Sequence, residues 1–511
     1  MSTSHPYQDH PSSNPIADEH RWIIHIRRSL DEDIDNEPDS PVSIFSVPKA
    51  LLLTNPESYI PQQISLGPYH HTRPELYDMQ RCKLSAAKRF QRRVHGLKFH
   101  NIVDHLIPYE PKLRAFYQKY LNFNGETLTW MMAIDSCFLL EFLEAFARKM
   151  PSRTLWLRDI TGRKSGHDAI VRDILMLENQ VPLSLLKKIM AFQSATSAVA
   201  LHSILTDFFN AISPFELVVM PDLDQLERCT HLLDLLYHSI VPEIEDDDEE
   251  EYVNEEGEKR SIIKRLVFSN PVRLILTFPF KVISNLPGVI LMRHVLEHVY
   301  EKEEHANGEN NYNNNNNNNN NKEKKDADLL IEEIRIPSVS ELASAGIKFE
   351  ASKRGILGIG FDSGTGTLRL ASVRLDVNSG VVLRNLVAYE ACGVCGGKLV
   401  LARYFELMNG IVDGPEDARL LRESGIVFSY LRCDGDVADL WNGMSASVRM
   451  TKVPFLDRVI QDVNRYYEGS WRVKMRKGFS WRRLALVCLL LFIGLQGFYS
   501  LFPMFYMRRR L

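Results

Sequence analysis

A chain of 511 residues with 45% apolar side chains can bury a sizeable core in one or two domains, and its formal net charge of −4 is close to neutral. That balance excludes a general nucleic-acid binder, which concentrates basic residues on one surface. The seven cysteines, odd in number and widely spaced, exclude the disulfide framework of a small secreted domain and suit a reducing compartment.

Residues 1–42 form a polar, proline-bearing arm with no apolar signal segment. Ser43 to His71 is compact but punctuated by prolines, so it should wind over a core rather than build long elements. Residues 76–120 read mostly as helix, with Leu84, Ala87, Phe90 and Val94 at three- and four-residue steps. Leu128–Met150 is the most apolar internal segment; Asp135 and Glu141 interrupt it, which makes it a buried helix rather than a membrane span. Residues 168–190 are expected as a second strong helix, with Ile170, Ile174, Leu177 and Val181 on one face, ended or bent at Pro182, which can open the next helix. Leu223–Ile240 reads as another.

Two insertions follow. Glu243–Glu258 holds eleven Asp or Glu in sixteen positions, and self-repulsion should keep it solvated; with its flanks it is placed at 243–260. The second, near 303–326, contains an unbroken asparagine run from Asn313 to Asn321 that has no apolar groups to offset the entropy of ordering. Beyond Lys325, TGTLRLASVRLDV and SGVVLRNLVAYE show period-two alternation around Asn378-Ser379-Gly380, which predicts a short hairpin or small sheet. Helical spacing returns from Leu399. The expected fold class is a mainly α-helical globular body at 43–483 with a small β-hairpin or sheet element, plus one C-terminal transmembrane helix.

That helix is placed at 484–506, LALVCLLLFIGLQGFYSLFPMFY, with no charged side chain. As a helix it would extend about 34 Å, enough to cross a hydrocarbon core of about 30 Å. Arg472, Lys474, Arg476, Lys477, Arg482 and Arg483 precede it; the basic tail at 507–511 carries only Arg508, Arg509 and Arg510. The heavier positive flank predicts a cytosolic body, and the short tail implies a single pass inserted after synthesis. The flanks specify no organelle; the plasma membrane is the favoured expectation.

Chemistry is harder to find. Cys392 and Cys395 form a CxxC pair, but a zinc site commonly needs a second pair and a redox site a βαβ setting. The glycines from Gly355 to Gly366 lack the Gly-Lys-Ser/Thr of a phosphate loop and read as a turn region. His70 and His71 could bind a metal or act as a base, and Asp135, Glu141, Asp173 and Glu178 could supply paired carboxylates. Buried carboxylates more often accept hydrogen bonds or pair with a cation to fix helix packing. Asp173 cannot readily reach its helix neighbour Arg172, so its partner is expected elsewhere. No catalytic, cofactor-binding or metal-ligating residue is assigned.

Several segments in order resemble the plant family called domain of unknown function 247, also called uncharacterised protein family 0481. They are Tyr59-Ile60-Pro61, Ile64-Ser65-Leu66-Gly67-Pro68-Tyr69-His70-His71 with Lys83, Asp135-Ser136-Cys137, Arg172-Asp173 through Asn179-Gln180-Val181-Pro182, and His231-Leu232-Leu233-Asp234. Past the insertions, Ile336-Pro337-Ser338-Val339, Arg384-Asn385 through Glu390 and Leu407-Met408-Asn409 also fit. Departures are Gln80, where an acid is common, and the two insertions. The resemblance implies a mostly helical plant protein with a C-terminal membrane segment and no established enzymatic activity; self-incompatibility roles of some members in grasses imply recognition or signalling. Three functions stay open. The leading one is a membrane-anchored interaction or signalling component, with the lipid bilayer and cytosolic or membrane proteins as partners. The others are a membrane-associated hydrolase using His70 or His71 with the buried carboxylates, and a passive structural protein.

Overall fold

The computed structural model describes residues 42–94, 96–147, 164–193, 197–217, 228–241, 334–393, 398–444 and 452–470, together with 23–24 and 26–27. The chain divides into two compact units, 1–242 with 333–511 and 243–332, and the described residues all fall in the first. Most of the arm, both insertions, the apolar segment 484–506 and the tail 507–511 lie outside the described residues. Among the described residues, no helix is long and apolar enough to cross a membrane.

The first half of the body is helical: α1 (Lys49–Thr54), α2 (Gln80–Arg93), α3 (Phe99–Leu106), α4 (Glu110–Ala115), α5 (Gly125–Ala147), α6 (Lys164–Ile174), α7 (Leu183–Ala191), α8 (Ser197–Ile212) and α9 (Leu232–Ile240). Helix α5 is the expected apolar helix. Asn124 starts it by accepting the Thr127 amide at 2.7 Å. Leu128, Met132, Phe138, Leu139, Phe142 and Leu143 are buried around its circumference, because α2, α3, α4, α7 and α8 all pack on it. On α2 the buried row is Cys82, Lys83, Ala86, Ala87 and Phe90. Leu84, expected on the buried face, is 48% exposed. The face is turned because Lys83, one position earlier, points inward to an acid on α5.

Over 168–190 the break expected at Pro182 is present and a new helix opens there, but the first helix ends earlier than expected. Helix α6 stops at Ile174, a 3₁₀ turn spans Leu177–Asn179, and Pro182 caps α7. Leu177 and Val181 are buried as expected, but from a turn. Helix α9 covers only the end of the helix expected from Leu223; residues 221–227 lie outside the described residues.

The second half holds α10 (Val339–Ala345), β1 (Lys348–Ser352), β2 (Gly360–Asp362), β3 (Thr367–Ala371), β4 (Val373–Leu375), α11 (Ser379–Ala391), α12 (Val400–Ile411), α13 (Pro415–Glu423), β5 (Val427–Ser429), α14 (Asp434–Asn442) and α15 (Pro454–Gly469). The small β element is present, but the hairpin around Asn378-Ser379-Gly380 is not. Strand β3 pairs in parallel with β1 and antiparallel with β2, while β4 pairs in parallel with β5. The segment expected as the second hairpin strand is α11. Asp376 accepts the amides of Asn378 and Ser379 and the Ser379 hydroxyl, turning the chain into the helix. Its buried residues Val382, Leu383, Leu386, Val387 and Tyr389 then follow helical steps. Helix α11 packs against α9, α12, β4 and the 3₁₀ turns at Pro56–Ser58 and Leu177–Asn179, which joins the two halves of one core.

Candidate functional site

The chain from Tyr59 to His71 has little regular structure of its own, so its backbone groups need side-chain partners. Three carboxylate or amide side chains supply them. Asp173, near the end of α6, accepts the amides of Gln62, Gln63 and Ile64 on one oxygen at 3.0, 2.6 and 3.0 Å. Asn179 accepts the Leu66 amide at 2.6 Å and donates to Ile64 and Asp173 carbonyls at 2.9 Å. Asp135, from the middle of α5, accepts the Gly67 amide at 2.9 Å. Gly67 has φ 69°, and a Cβ there would meet the Tyr117 hydroxyl at 2.8 Å, so the position requires glycine.

Asp135 also binds Lys83 at 2.7 Å, with both side chains almost wholly removed from solvent. Breaking such a pair strands a buried charge, which costs more than the pair itself contributes. The second oxygen of Asp173 receives Arg172 at 2.9 Å, contrary to the expectation that adjacent helical residues cannot pair. The long Arg172 side chain folds back near the helix end, while the three backbone amides are the partners found elsewhere. Burial still raises the Asp173 pKa against the pull of those amides and of Arg172.

The histidines sit at the edge of this lattice. His70 Nε2 lies 3.4 Å from Glu178 Oε2, an ion-pair distance rather than an aligned hydrogen bond. The other Glu178 oxygen accepts the Val47 amide and Lys119 Nζ, both at 3.0 Å. Burial opposes ionisation of Glu178, yet His70, Lys119 and the Val47 amide hold its pKa down to about 2. His71 Nδ1 is buried with no hydrogen-bond partner; burial lowers the pKa of this imidazole, against the field of Asp135. Glu141 does not join them, being committed to Arg89 on α2 at 2.8 Å.

A second knot ties α9 to α11 and α12. Glu390 accepts the Tyr237 hydroxyl at 2.7 Å and the Leu401 and Ala402 amides at 2.9 and 2.8 Å, so a buried acid caps α12 from a neighbouring helix. Burial raises its pKa against those donors. Asp234 accepts the Tyr389 hydroxyl at 2.8 Å and the Thr230 amide at 2.6 Å. His231 Nδ1 accepts the Asp234 amide, so its proton is on Nε2, which donates to the Ser43 carbonyl at 3.0 Å.

A profile described as plant protein of unknown function, DUF247, matches residues 44–492. The chain belongs to the DUF247 family. A putative UPF0481 protein of Arabidopsis thaliana is 42% identical over 522 residues, covering 96% of each chain. A second Arabidopsis UPF0481 protein is 27% identical over 207 residues, covering 40% of this chain and 42% of that one. No solved structure matches.

In this DUF247 protein the segments that carry the family resemblance are the ones the lattice uses: Ile64–Tyr69, Lys83, Asp135, Asp173, Asn179, Gln180, His231, Asp234, Asn385 and Glu390. Gln180 donates to the Ile174 and Met176 carbonyls, and Asn385 accepts the Leu177 amide at 2.9 Å while donating to the Ser58 carbonyl at 2.8 Å. Their roles as backbone partners were not visible from their spacing, because the partners lie up to hundreds of residues away. Of the groups considered for hydrolysis, the structure brings His70 to Glu178 and leaves Asp135 and Asp173 holding backbone. Among the described residues no cluster of three His, Cys, Asp or Glu has metal-binding geometry. Burial pushes the Cys392 thiol up to about 12, with Glu178 adding to the shift, which opposes thiolate chemistry; Cys395 lies outside the described residues. The glycine segment forms a 3₁₀ turn, Gly355–Gly358, and strand β2, with no helix after it to receive a phosphate.

Proposed function

We propose that this protein is a single-pass, membrane-anchored interaction or signalling component whose body lies on the cytosolic side, with the plasma membrane as its favoured location. The observation that carries this reading is the commitment of its buried and half-buried acids. Asp135, Asp173, Glu178, Asp234 and Glu390 each hold backbone amides, cations or hydroxyls that join separate elements. Such bonds make a rigid body; they do not present a nucleophile beside a base. The surface meanwhile exposes large apolar groups such as Leu53, Phe428 and Tyr430 at 84%, 53% and 72%. Supporting the anchor are the 23 uncharged residues at 484–506 and the six cations before them.

Proximity labelling from the native locus, compared with the C-terminal segment alone, tests the interaction role. The body is expected to enrich a selective set of proteins that the anchor alone does not. Identical sets would remove the proposal. Extraction with alkaline carbonate tests the anchor separately: the full chain should stay in the membrane pellet, and release into the supernatant would refute the single pass.

The hydrolase reading keeps one observation, the 3.4 Å approach of His70 to Glu178. It requires a turnover that His70→Ala abolishes while leaving the fold intact; a fully active or uniformly inactive pair of proteins dismisses it.

A further inference from the structure

Helix α2 carries six cations and no acid: Arg81, Lys83, Lys88, Arg89, Arg92 and Arg93. Three of them are spent on α5. Lys83 binds Asp135, Arg89 binds Glu141 and Arg93 binds Glu144. The other three, Arg81, Lys88 and Arg92, are exposed and have no ion pair among the described residues. They fall on one stripe with Leu84, at steps of three, four and four residues, and Leu84 is 48% exposed. Tyr77, 51% exposed, lies in the 3₁₀ turn that leads directly into the helix. The acids nearest in sequence, Glu75 and Asp78, precede the helix.

We propose that this outer stripe of α2 is a docking surface for anionic phospholipid headgroups, so that the body lies against the bilayer that its C-terminal segment enters. The inference rests on the membrane-anchored reading above. Charge complementarity selects the partner. Unpaired cations face a negative leaflet, while Leu84 and Tyr77 between and beside them can sink to the headgroup–acyl boundary, as on an interfacial amphipathic helix. The opposite character appears at 413–439, where seven acids outnumber three arginines and the arginines Arg419 and Arg422 are already paired with acids. The exposed acids of that stretch would be repelled by the same leaflet. The three cations should strengthen association with an anionic bilayer about a hundredfold.

The test places the full chain in nanodiscs of phosphatidylcholine alone or of two parts phosphatidylcholine to one part phosphatidylserine. Acylation of Lys88 by a water-soluble ester is followed by mass spectrometry, with the exposed Lys452 as internal reference. Lys88 should react several-fold more slowly on the mixed bilayer, regain its reactivity in high salt, and lose the protection in an Arg81→Glu/Arg92→Glu variant. Circular dichroism checks that variant's fold, with Arg81→Gln/Arg92→Gln as the substitute. Equal Lys88 reactivity on both bilayers, with the protein still carbonate-resistant, overturns the docking surface and leaves the anchor standing. Loss of carbonate resistance overturns the anchor instead. Shielding of Lys88 by soluble polyglutamate but not by the mixed bilayer would assign the stripe to an acidic protein and overturn the lipid proposal.

Discussion

Two regions of this body use ion pairs in opposite ways. Around the 59–71 segment, Lys83 and Asp135 meet with both side chains buried, and Asp135 also holds the Gly67 amide. On α13, Arg419 bridges Glu416 and Glu423 at 2.6 Å each, and Arg422 reaches Asp434 at 2.9 Å, all at the surface. The distances are alike; the consequences are not. A surface pair gives up little when broken, because water replaces either partner. A buried pair that also organises backbone leaves a stranded charge and an unpaired amide. Proximity alone therefore says little about which contacts hold the fold.

The comparison can be broken at graded points. Lys83→Met should cost about 3–5 kcal/mol in urea unfolding of the full chain, since Asp135 is left buried without its cation. A loss no larger than that of a surface variant would erase the distinction. Asp173→Ala should cost roughly 2–4 kcal/mol, because three amides lose one acceptor together. Protection of the Gln62, Gln63 and Ile64 amides from hydrogen exchange should fall with it; unchanged protection would show that the 59–71 segment is held by other means.

Glu178 gives a pH dependence. Its pKa is about 2 in the folded protein and 4.5 in the unfolded chain, so its contribution is fully present above 4.5 and is lost as pH falls toward 2. Glu178→Gln should flatten the acid limb of the stability profile while changing its shape little above pH 6. An unaltered acid limb would mean that Glu178 is no better bonded folded than unfolded. The smallest effect belongs to Arg419→Ala, which should leave the unfolding midpoint where it is at physiological salt; a clear drop would show that the α13 surface network acts cooperatively.

How far the sequence discloses this arrangement depends on range. Helix α5 was legible because its apolar run is local and long. The hairpin expected at Asn378 is absent for a tertiary reason. Val382 to Tyr389 can be read with either period, and the choice of α11 follows from burial against α9 and α12, a tertiary cause. Lys83 carried no signal of burial by type, since lysine is almost never fully buried unpaired. The family resemblance marked Asp135, Asp173 and Asn179, but not what they hold. Their partners are amides in a segment without regular structure, and amides have no sequence identity.

The central claim is that the polar residues around 59–71 are a folding lattice organised by the Lys83–Asp135 pair. Its most direct test adds Asp135→Asn to Lys83→Met and compares the double variant with each single one in urea. Asparagine at 135 keeps an acceptor for the Gly67 amide and removes the stranded charge. The double variant should therefore be more stable than Lys83→Met alone. A double variant destabilised by the full sum of its two single changes would show that the pair is uncoupled and that the lattice account is wrong.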